Sequence, residues 1–193
     1  SVYGDVNLAA QADPGVLVSG HLLTAENQKV NNEFTIQDNS AVLDINSSGN
    51  FIYPVMPFGP SQTLSWDLGF NSNTLLNLDT RTVLGKQNLD LTLLRLQALK
   101  AETVMGKTVI ALPRAGNFSA DLNTVMGDLM VIVQKDSAVT IERNTFFTLV
   151  EMPEDFVEAE GVFQSPAAAA GATDVIHVVI DQPIGRLQVV YSE

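Results

Sequence analysis

Hydrophobic and polar residues alternate with a period of two along most of the chain. Examples are Leu89-Asp90-Leu91 and the run from Glu33 through Phe34, Thr35 and Ile36 to Gln37. This alternation places successive side chains on opposite faces of an extended strand. A helix-containing repeat would need long stretches with a 3.6-residue period, and none is visible. The pattern therefore predicts an all-β protein with strands of about five residues.

A short motif recurs at a fixed interval in the middle of the chain. Thr82-Val83-Leu84-Gly85 returns 21 residues later as Thr103-Val104-Met105-Gly106, and after another 21 as Thr124-Val125-Met126-Gly127. A fourth copy falls at Thr145-Phe146-Phe147-Thr148, with the glycine replaced. Three apolar columns follow the same interval: Leu78, Leu99, Ala120 and Ile141; Leu89, Ile110, Val131 and Met152; and Leu91, Leu112 and Val133. The repeat is therefore unlikely to arise by chance.

A strand-based repeat of this length predicts a single-stranded β-helix, or β-solenoid, with about 21 residues per coil. Equivalent residues then stack about 4.8 Å apart, and the apolar columns fill the interior. The glycine column is assigned to corners that need a positive φ or a close backbone approach, and it comprises Gly85, Gly106, Gly127 and, near the end of the chain, Gly185. The threonine column forms a hydroxyl ladder or simply suits a strand edge, the second being favoured; it comprises Thr82, Thr103, Thr124 and Thr145.

The whole chain, 1–193, is predicted to be one solenoid domain. Its predicted parts are an irregular N-terminal cap with early coils over 1–63, regular repeats over 64–152, a loop over 153–174 and closing strands over 175–193. The loop is predicted because an acidic stretch and a run of alanines interrupt the alternation there.

Composition narrows the range of partners. The net charge of −12 would repel phosphate backbones and anionic membranes, so we predict no nucleic-acid partner. No cysteine is present, which excludes disulfides, thiolate metal sites and cysteine nucleophiles. No apolar run approaches the roughly 20 residues that span a bilayer, so we predict no direct membrane insertion by this segment. Because the chain begins at Ser1 and not at Met, we expect a processed form, from which a signal or anchor was removed.

The sequence predicts no catalytic, cofactor-binding or metal-binding residues. The only histidines, His21 and His177, are far apart and no Gly-x-Ser-x-Gly elbow accompanies them. We expect His177 to be an ordinary strand residue and His21 a turn residue. The segment from Asp44 to Gly49 is similar to the start of a calcium loop, but Val55 occupies the position of the coordinating acid, so we predict an Asx turn.

Two acidic groups were weighed as sites. The acids between Glu151 and Glu160 are predicted to form a solvated loop in preference to a calcium site. Asp79, Asp121 and Glu142 share one repeat column, with Lys100 in the second unit, so Asp121 and Glu142 are expected one coil apart, at about 5 Å. Paired carboxylates are what glycosidases use, but no aromatic platform accompanies them, and stacked surface acids are the favoured interpretation.

The chain also resembles a known family. The residues that carry the resemblance are Trp66-Asp67-Leu68, the V-x-G strand-turn units and the final strand Ile184-Gly185-Arg186-Leu187-Gln188-Val189. They look like the toast-rack family, which is similar to the C-terminal domain of cell wall-active antibiotics response proteins of the LiaF type and to bacterial adhesin-like β-helix domains. Members usually carry G-x-G at the corners, where this chain keeps only the second glycine. The resemblance implies a right-handed β-helix outside the cytoplasm or attached to a membrane segment, with no catalytic residues to transfer.

We therefore predict a non-catalytic structural or binding module of the cell envelope, adhesin-like or regulatory in the envelope-stress response. Its expected partner is a protein or a cell-wall component, with no cofactor. Copies of the chain are expected to associate through solenoid ends or edges, because an uncovered end is an unpaired strand edge. The alternative is a β-helix polysaccharide lyase or hydrolase, which predicts a cleft lined by acids, a Lys or Arg, and aromatic side chains.

Overall fold

The computed structural model describes residues 2–24, 29–37, 40–48 and 64–192. This part of the chain is all-β apart from one helix of four residues. The elements are β1 (Val2–Tyr3), β2 (Asp5–Gln11), β3 (Val18–Leu23), β4 (Lys29–Gln37), β5 (Ser40–Ser48), β6 (Ser65–Asn71), β7 (Leu75–Asp90), β8 (Arg95–Ala111), β9 (Phe118–Val133), β10 (Val139–Glu151), β11 (Val157–Ala159), β12 (Val162–Gln164), α1 (Pro166–Ala169) and β13 (Ile176–Tyr191).

Eleven strands form one sheet. Their order is β11-β12-β10-β13-β9-β8-β7-β2-β6-β3, and β1 pairs with β7. Pairing is parallel from β10 across to β6 and antiparallel at the two margins, where β3 joins β6 and β12 joins β10. Strands β4 and β5 form a separate antiparallel hairpin.

The three longest consecutive strands pair with residues 21 apart opposite one another. Thr82 lies opposite Thr103, and Thr103 lies opposite Thr124. Strand β7 ends at Asp90, and β8 begins at Arg95, which pairs with Leu75 at the start of β7. Five residue steps reach at most about 18 Å, whereas a straight strand of this length would extend for about 50 Å. Each long strand therefore bends round and returns close to its own beginning.

The bends enclose an apolar core. Side chains at alternate positions point inward, and the alternation changes phase over 104–107, since Thr103 and Thr108 both face the interior. The largest fully buried apolar side chains are Leu89, Leu91, Leu99, Ile110, Leu112, Leu122, Leu129, Ile141, Ile176, Ile180 and Leu187. Burying a side chain of this size stabilises a fold by about 1.5–3 kcal/mol, so the stacked interior is the main source of stability.

Glycines occupy the bend in five strands. Gly85, Gly106 and Gly127 have φ of 144°, 150° and 145°, and Gly4 and Gly185 lie in the same positive-φ region. A Cβ on Gly106 would sit 1.8 Å from the carbonyl oxygen of Gly85, and one on Gly185 would sit 1.8 Å from that of Gly127. The bend therefore demands both a left-handed backbone and direct stacking of backbone on backbone, which only glycine permits.

The strand order departs from the expected stacking of consecutive units. Strand β13, from the end of the chain, lies between β9 and β10, and β2 lies between β6 and β7. The fourth copy of the repeat, in β10, thus stacks on β13, and Thr145 pairs with Gln182. The glycines give the physical reason: Gly185 pairs with Gly127, whereas the equivalent residue of β10 is Thr148, whose Cβ could not occupy that place.

The segment between β10 and β13 covers one end of the core. It contains β11, β12 and α1 within the range predicted as a loop. Ser165 Oγ donates to the carbonyl of Ser137 at 2.8 Å and accepts from the Val139 amide at 2.9 Å. Tyr191 OH donates to Asp155 Oδ1 at 2.8 Å, and its ring lies 6.2 Å from that of Phe156. These contacts attach the segment to β10 and β13.

Replacing a stacked glycine should be far more costly than replacing an unstacked one. We expect Gly106→Ala to lower the free energy of unfolding by about 3 kcal/mol or more, because it adds a steric clash to an unfavourable φ. Gly171→Ala is the control: its φ is also positive, at 84°, but a Cβ there would meet nothing within 4 Å. That change should cost about 1–2 kcal/mol. Equal losses in urea unfolding would contradict the stacking argument.

The Tyr191 contact predicts a stability change at alkaline pH. Burial, with help from the hydrogen bond and charge of Asp155, raises the pKa of Tyr191 from 10.0 to about 12. Because this folded-state pKa exceeds the unfolded one, the contact stabilises the fold fully below pH 10, and the contribution is lost as the pH rises towards 12. Absorbance titration of tyrosinate should show a transition near pH 12 that is missing in Tyr191→Phe. Titration of every tyrosine near pH 10 would refute it.

Candidate interaction surface

A shallow groove crosses the outer face of the sheet where β3, β6, β2 and β7 adjoin β8 and β9. Its volume is about 790 Å³. One side is polar and is lined by Asn7, His21, Asp67, Asn88 and Asp90. The other side is apolar and includes Val109, Ala111 and Ile132, which are half-buried although they point outward. The groove therefore joins hydrogen-bonding groups to a small apolar floor.

Strand pairing brings the polar side chains into one row. His21 lies opposite Asp67, Asp67 opposite Asn7, and Asn7 opposite Asn88. They come from β3, β6, β2 and β7, so the row exists because β2 inserts between β6 and β7. No repeat in the sequence signals it, since Asn7 and Asn88 are 81 positions apart.

Hydrogen bonds connect this polar row. Asn88 Nδ2 donates to Asn7 Oδ1 at 2.8 Å, and Asn7 Nδ2 donates to Asp67 Oδ1 at 2.7 Å. Ser65 Oγ donates to the other carboxylate oxygen of Asp67 at 2.8 Å. Asp90 Oδ1 accepts from the hydroxyl of Thr92 at 2.6 Å. Both groove carboxylates are thus occupied as acceptors that hold neighbouring side chains in place.

The acidic column on a different part of the sheet is more widely separated than the sequence suggested. Lys100 lies between Asp79 and Asp121, as expected, but Val179 of β13 lies between Asp121 and Glu142. The expectation that Asp121 and Glu142 are neighbours one coil apart is therefore wrong. Insertion of β13 is the physical cause.

Lys100 belongs to an exposed charge network on the same face. Its Nζ lies 3.0 Å from Glu102 Oε1, and Arg81 Nε lies 3.4 Å from Glu102 Oε2. The hydrogen bond to Glu102, followed by the charges of Glu102 and Asp79, raises the pKa of Lys100. Exposed pairs of this kind contribute at most about 1 kcal/mol each, so they mark a solvated face.

The two histidines lie on different strands, separated by most of the sheet. His177 is an exposed residue of β13, as expected for an ordinary strand position, and its Nδ1 lies 2.9 Å from Thr140 Oγ1. The turn predicted at His21 is wrong, because His21 lies within β3 and pairs with Asp67. Nothing in their placement forms a shared catalytic arrangement between them.

The remaining acidic candidates also have structural positions. The Asx turn predicted from Asp44 is wrong, since residues 44–48 belong to β5, where Asn46 Nδ2 donates to Asp44 Oδ1 at 2.7 Å. Gly49 and Val55 lie outside the described residues. Glu151 accepts a hydrogen bond from Gln188 Nε2 at 2.5 Å. Across the described ranges, no group of three or more His, Asp or Glu side chains is arranged to hold a metal ion.

The threonine column faces the interior of the bend. Thr82, Thr103 and Thr124 are at most 2% exposed, whereas Thr145 of β10 is half-buried. Thr103 Oγ1 bonds with Thr108 Oγ1 at 2.6 Å and accepts from Gln87 Nε2 at 2.9 Å. These hydroxyls therefore take part in an internal polar seam beside the glycines and do not lie at a strand edge, the interpretation favoured from sequence.

An apolar row runs along the outside of the same bend, immediately before the glycines. It is named the corner ridge here and consists of Leu84, Met105, Met126, Ile184 and Phe147, which pair in that order across β7, β8, β9, β13 and β10. Met105, Met126 and Ile184 are 42–47% exposed, and Phe147 is 70% exposed. The glycine that follows each residue turns the backbone and leaves its side chain outside the core.

Comparison with known proteins agrees with this architecture. The sequence profile of the family described as the N-terminal domain of toast_rack, DUF2154, matches residues 2–132. The crystal structure of a candidate cell adhesion protein from Clostridium sporogenes ATCC 15579 superposes with a TM-score of 0.82 at 16% identity, over 98% of this chain and 89% of that one. No curated protein matches in sequence. None of the described helices is long and apolar enough to cross a membrane. By the extent of the profile match, the chain belongs to the toast-rack family.

Proposed function

We propose that the chain is a right-handed β-solenoid with about 21 residues per coil and that it acts as a non-catalytic module of the cell envelope. The repeated register of β7, β8 and β9, and the short links that return each strand to its start, support the coil. Right-handedness is supported by the general preference of parallel strand crossovers, which are right-handed in about 98% of cases. The division into cap, regular repeats, connecting segment and closing strands belongs to the same proposal.

The observation that carries the functional proposal is the bonding of the groove. Asp67 has both carboxylate oxygens engaged by Ser65 and Asn7, and Asp90 is held by Thr92. Carboxylates fixed in this way present a rigid pattern of acceptors beside an apolar floor, which suits recognition of a ligand by contact. A polysaccharide lyase or hydrolase would need acids together with a Lys or Arg and aromatic platforms, and no such side chain lines the groove.

The partner we propose is a protein or a cell-wall component outside the cytoplasm. Toast-rack membership and the fold shared with a candidate cell adhesion protein support an envelope location. The groove also fits such a partner chemically. Its amide and carboxylate groups match the donors and acceptors of an extended peptide or glycan strand, and Val109, Ala111 and Ile132 offer apolar contact.

Filling the groove should abolish binding without unfolding the chain. Ala111→Arg places a long side chain on the groove floor, whereas Ala98→Arg places the same side chain at an exposed position away from it. We expect the wild-type chain and Ala98→Arg to co-sediment with isolated bacterial cell walls or to bind envelope proteins, and Ala111→Arg to lose at least about tenfold in affinity. Equal binding by both variants would show that the groove is not the contact.

The absence of catalysis can be tested separately with a panel of acidic and neutral glycans. We expect no new reducing ends and no unsaturated products after prolonged incubation with the wild-type chain. Asp67→Asn and Asp121→Asn serve as matched variants, one in the groove and one in the acidic column. Reproducible cleavage that either substitution abolishes would overturn the non-catalytic proposal in favour of the lyase or hydrolase.

A further inference from the structure

The last strand of the sheet carries an open edge. Strand β10 pairs with β13 on one side along its length, but β12 covers its other side only over 140–142. Among the described residues, no strand pairs with that side of 143–151. The opposite margin differs, because residues of the β4–β5 hairpin, including Phe34 and Ile45, approach β3 there and line a second pocket with Leu22.

The side chains at this edge are unusually apolar. Phe146, Phe147 and Leu149 are 80%, 70% and 56% exposed. Exposed edges are normally protected by charges, prolines or bulges that prevent pairing with another strand. The run from Asn144 to Val150 contains no charged residue, proline or glycine. This edge therefore lacks the usual protection against strand addition.

Equivalent positions in the other coils show that the change is specific to the final strand. Leu149 pairs with Arg186, and the same row continues through Asp128, Lys107 and Lys86. A row that is charged in four strands thus becomes apolar where the edge is open. The glycine row changes at the same point, since Thr148 pairs with Gly185 and has no positive φ.

Opposite charges stand at the two ends of the open edge. Arg143 is at one end, with its guanidinium 5.1 Å from the ring of Phe163, and Glu151 is at the other. In the described part of the chain, neither forms an ion pair. An antiparallel strand with the same sequence would place Glu151 opposite Arg143 and Arg143 opposite Glu151.

We infer that the open edge of β10 binds the same edge of a second copy of this chain, in an antiparallel, two-fold arrangement. Centring the pair on Phe147 matches all nine residues of 143–151 with the nine of the other copy. A shifted register would leave backbone groups unpaired or bring the second strand against β12. The centred register also makes both Arg143–Glu151 pairs and packs the exposed phenylalanines together.

This inference goes beyond the proposed function and does not depend on the groove. The groove is lined by residues of β2, β3, β6 and β7 with the nearer parts of β8 and β9, none of which belongs to the open edge. A chain with Ala111→Arg should therefore still dimerise. Failure of groove binding and failure of dimerisation are separately observable.

Sedimentation velocity of the full chain over a range of concentrations provides the first test. We expect a reversible dimer for the wild type and a monomer for Phe147→Lys, because the two-fold axis would bring two ammonium groups together. Met126→Lys is the matched control: it lies in the same corner ridge and is 42% exposed, but its strand is paired on both sides. It should remain dimeric. A wild-type chain that stays monomeric, including one whose edge takes a strand of another protein, overturns the inference.

Charge reversal tests the register. Arg143→Glu and Glu151→Arg should each weaken the dimer by about tenfold or more, because each places like charges opposite one another. Mixing the two variants should restore a mixed dimer, since both charge pairs then form between the chains. Far-UV circular dichroism checks folding; if Arg143→Glu unfolds, Glu151→Arg and Phe147→Lys carry the test alone. A dimer that neither of these two substitutions weakens, or a folded mixture that stays monomeric, contradicts the proposed pairing.

Discussion

Direct backbone stacking at the bend of each long strand is the constraint on which the rest of the structure depends. At these bends the carbonyl oxygen of one glycine occupies the place that a Cβ on the next would need, at 1.8 Å for Gly106, Gly127 and Gly185. Glycine is therefore required in each strand that stacks on another glycine. The same bends turn the strands back on themselves, so the apolar columns enclose a core and the corner ridge remains outside it.

Much of this arrangement is legible in the sequence because it repeats. The 21-residue interval, the all-β class and the interior columns follow from apolar and glycine positions that recur in β7, β8 and β9. The order of the strands does not follow, because β10 and β13 both carry the register of the repeat. The difference between them is a single position, Thr148 against Gly185, whose meaning appears only once the glycines are seen to stack.

The groove was not predictable for a related reason. Its polar row depends on β2 entering between β6 and β7, which brings Asn7 beside Asn88 and Asp67. Neither a repeat nor a local motif records that placement, and His21 was misassigned because its strand pairs antiparallel at the margin. The carboxylates that the sequence does align, Asp121 and Glu142, are separated by the inserted β13. Inserted strands thus create the surface that we propose binds a partner and separate the acids that suggested catalysis.

The position of β13 is the point at which this account is most directly testable, and the absence of cysteine in the chain makes a disulfide experiment clean. Asn123 pairs with Asp181 across β9 and β13, whereas Asn144 lies one strand farther away. Paired Cα atoms are within the 4.4–6.8 Å that a disulfide typically spans, and those two strands apart, at about 10 Å, are not. The account predicts that oxidation cross-links the cysteine pair at 123 and 181 and leaves the pair at 123 and 144 reduced. Cross-linking of 123 to 144 alone would show that consecutive units stack directly, which would contradict the role assigned to the glycines.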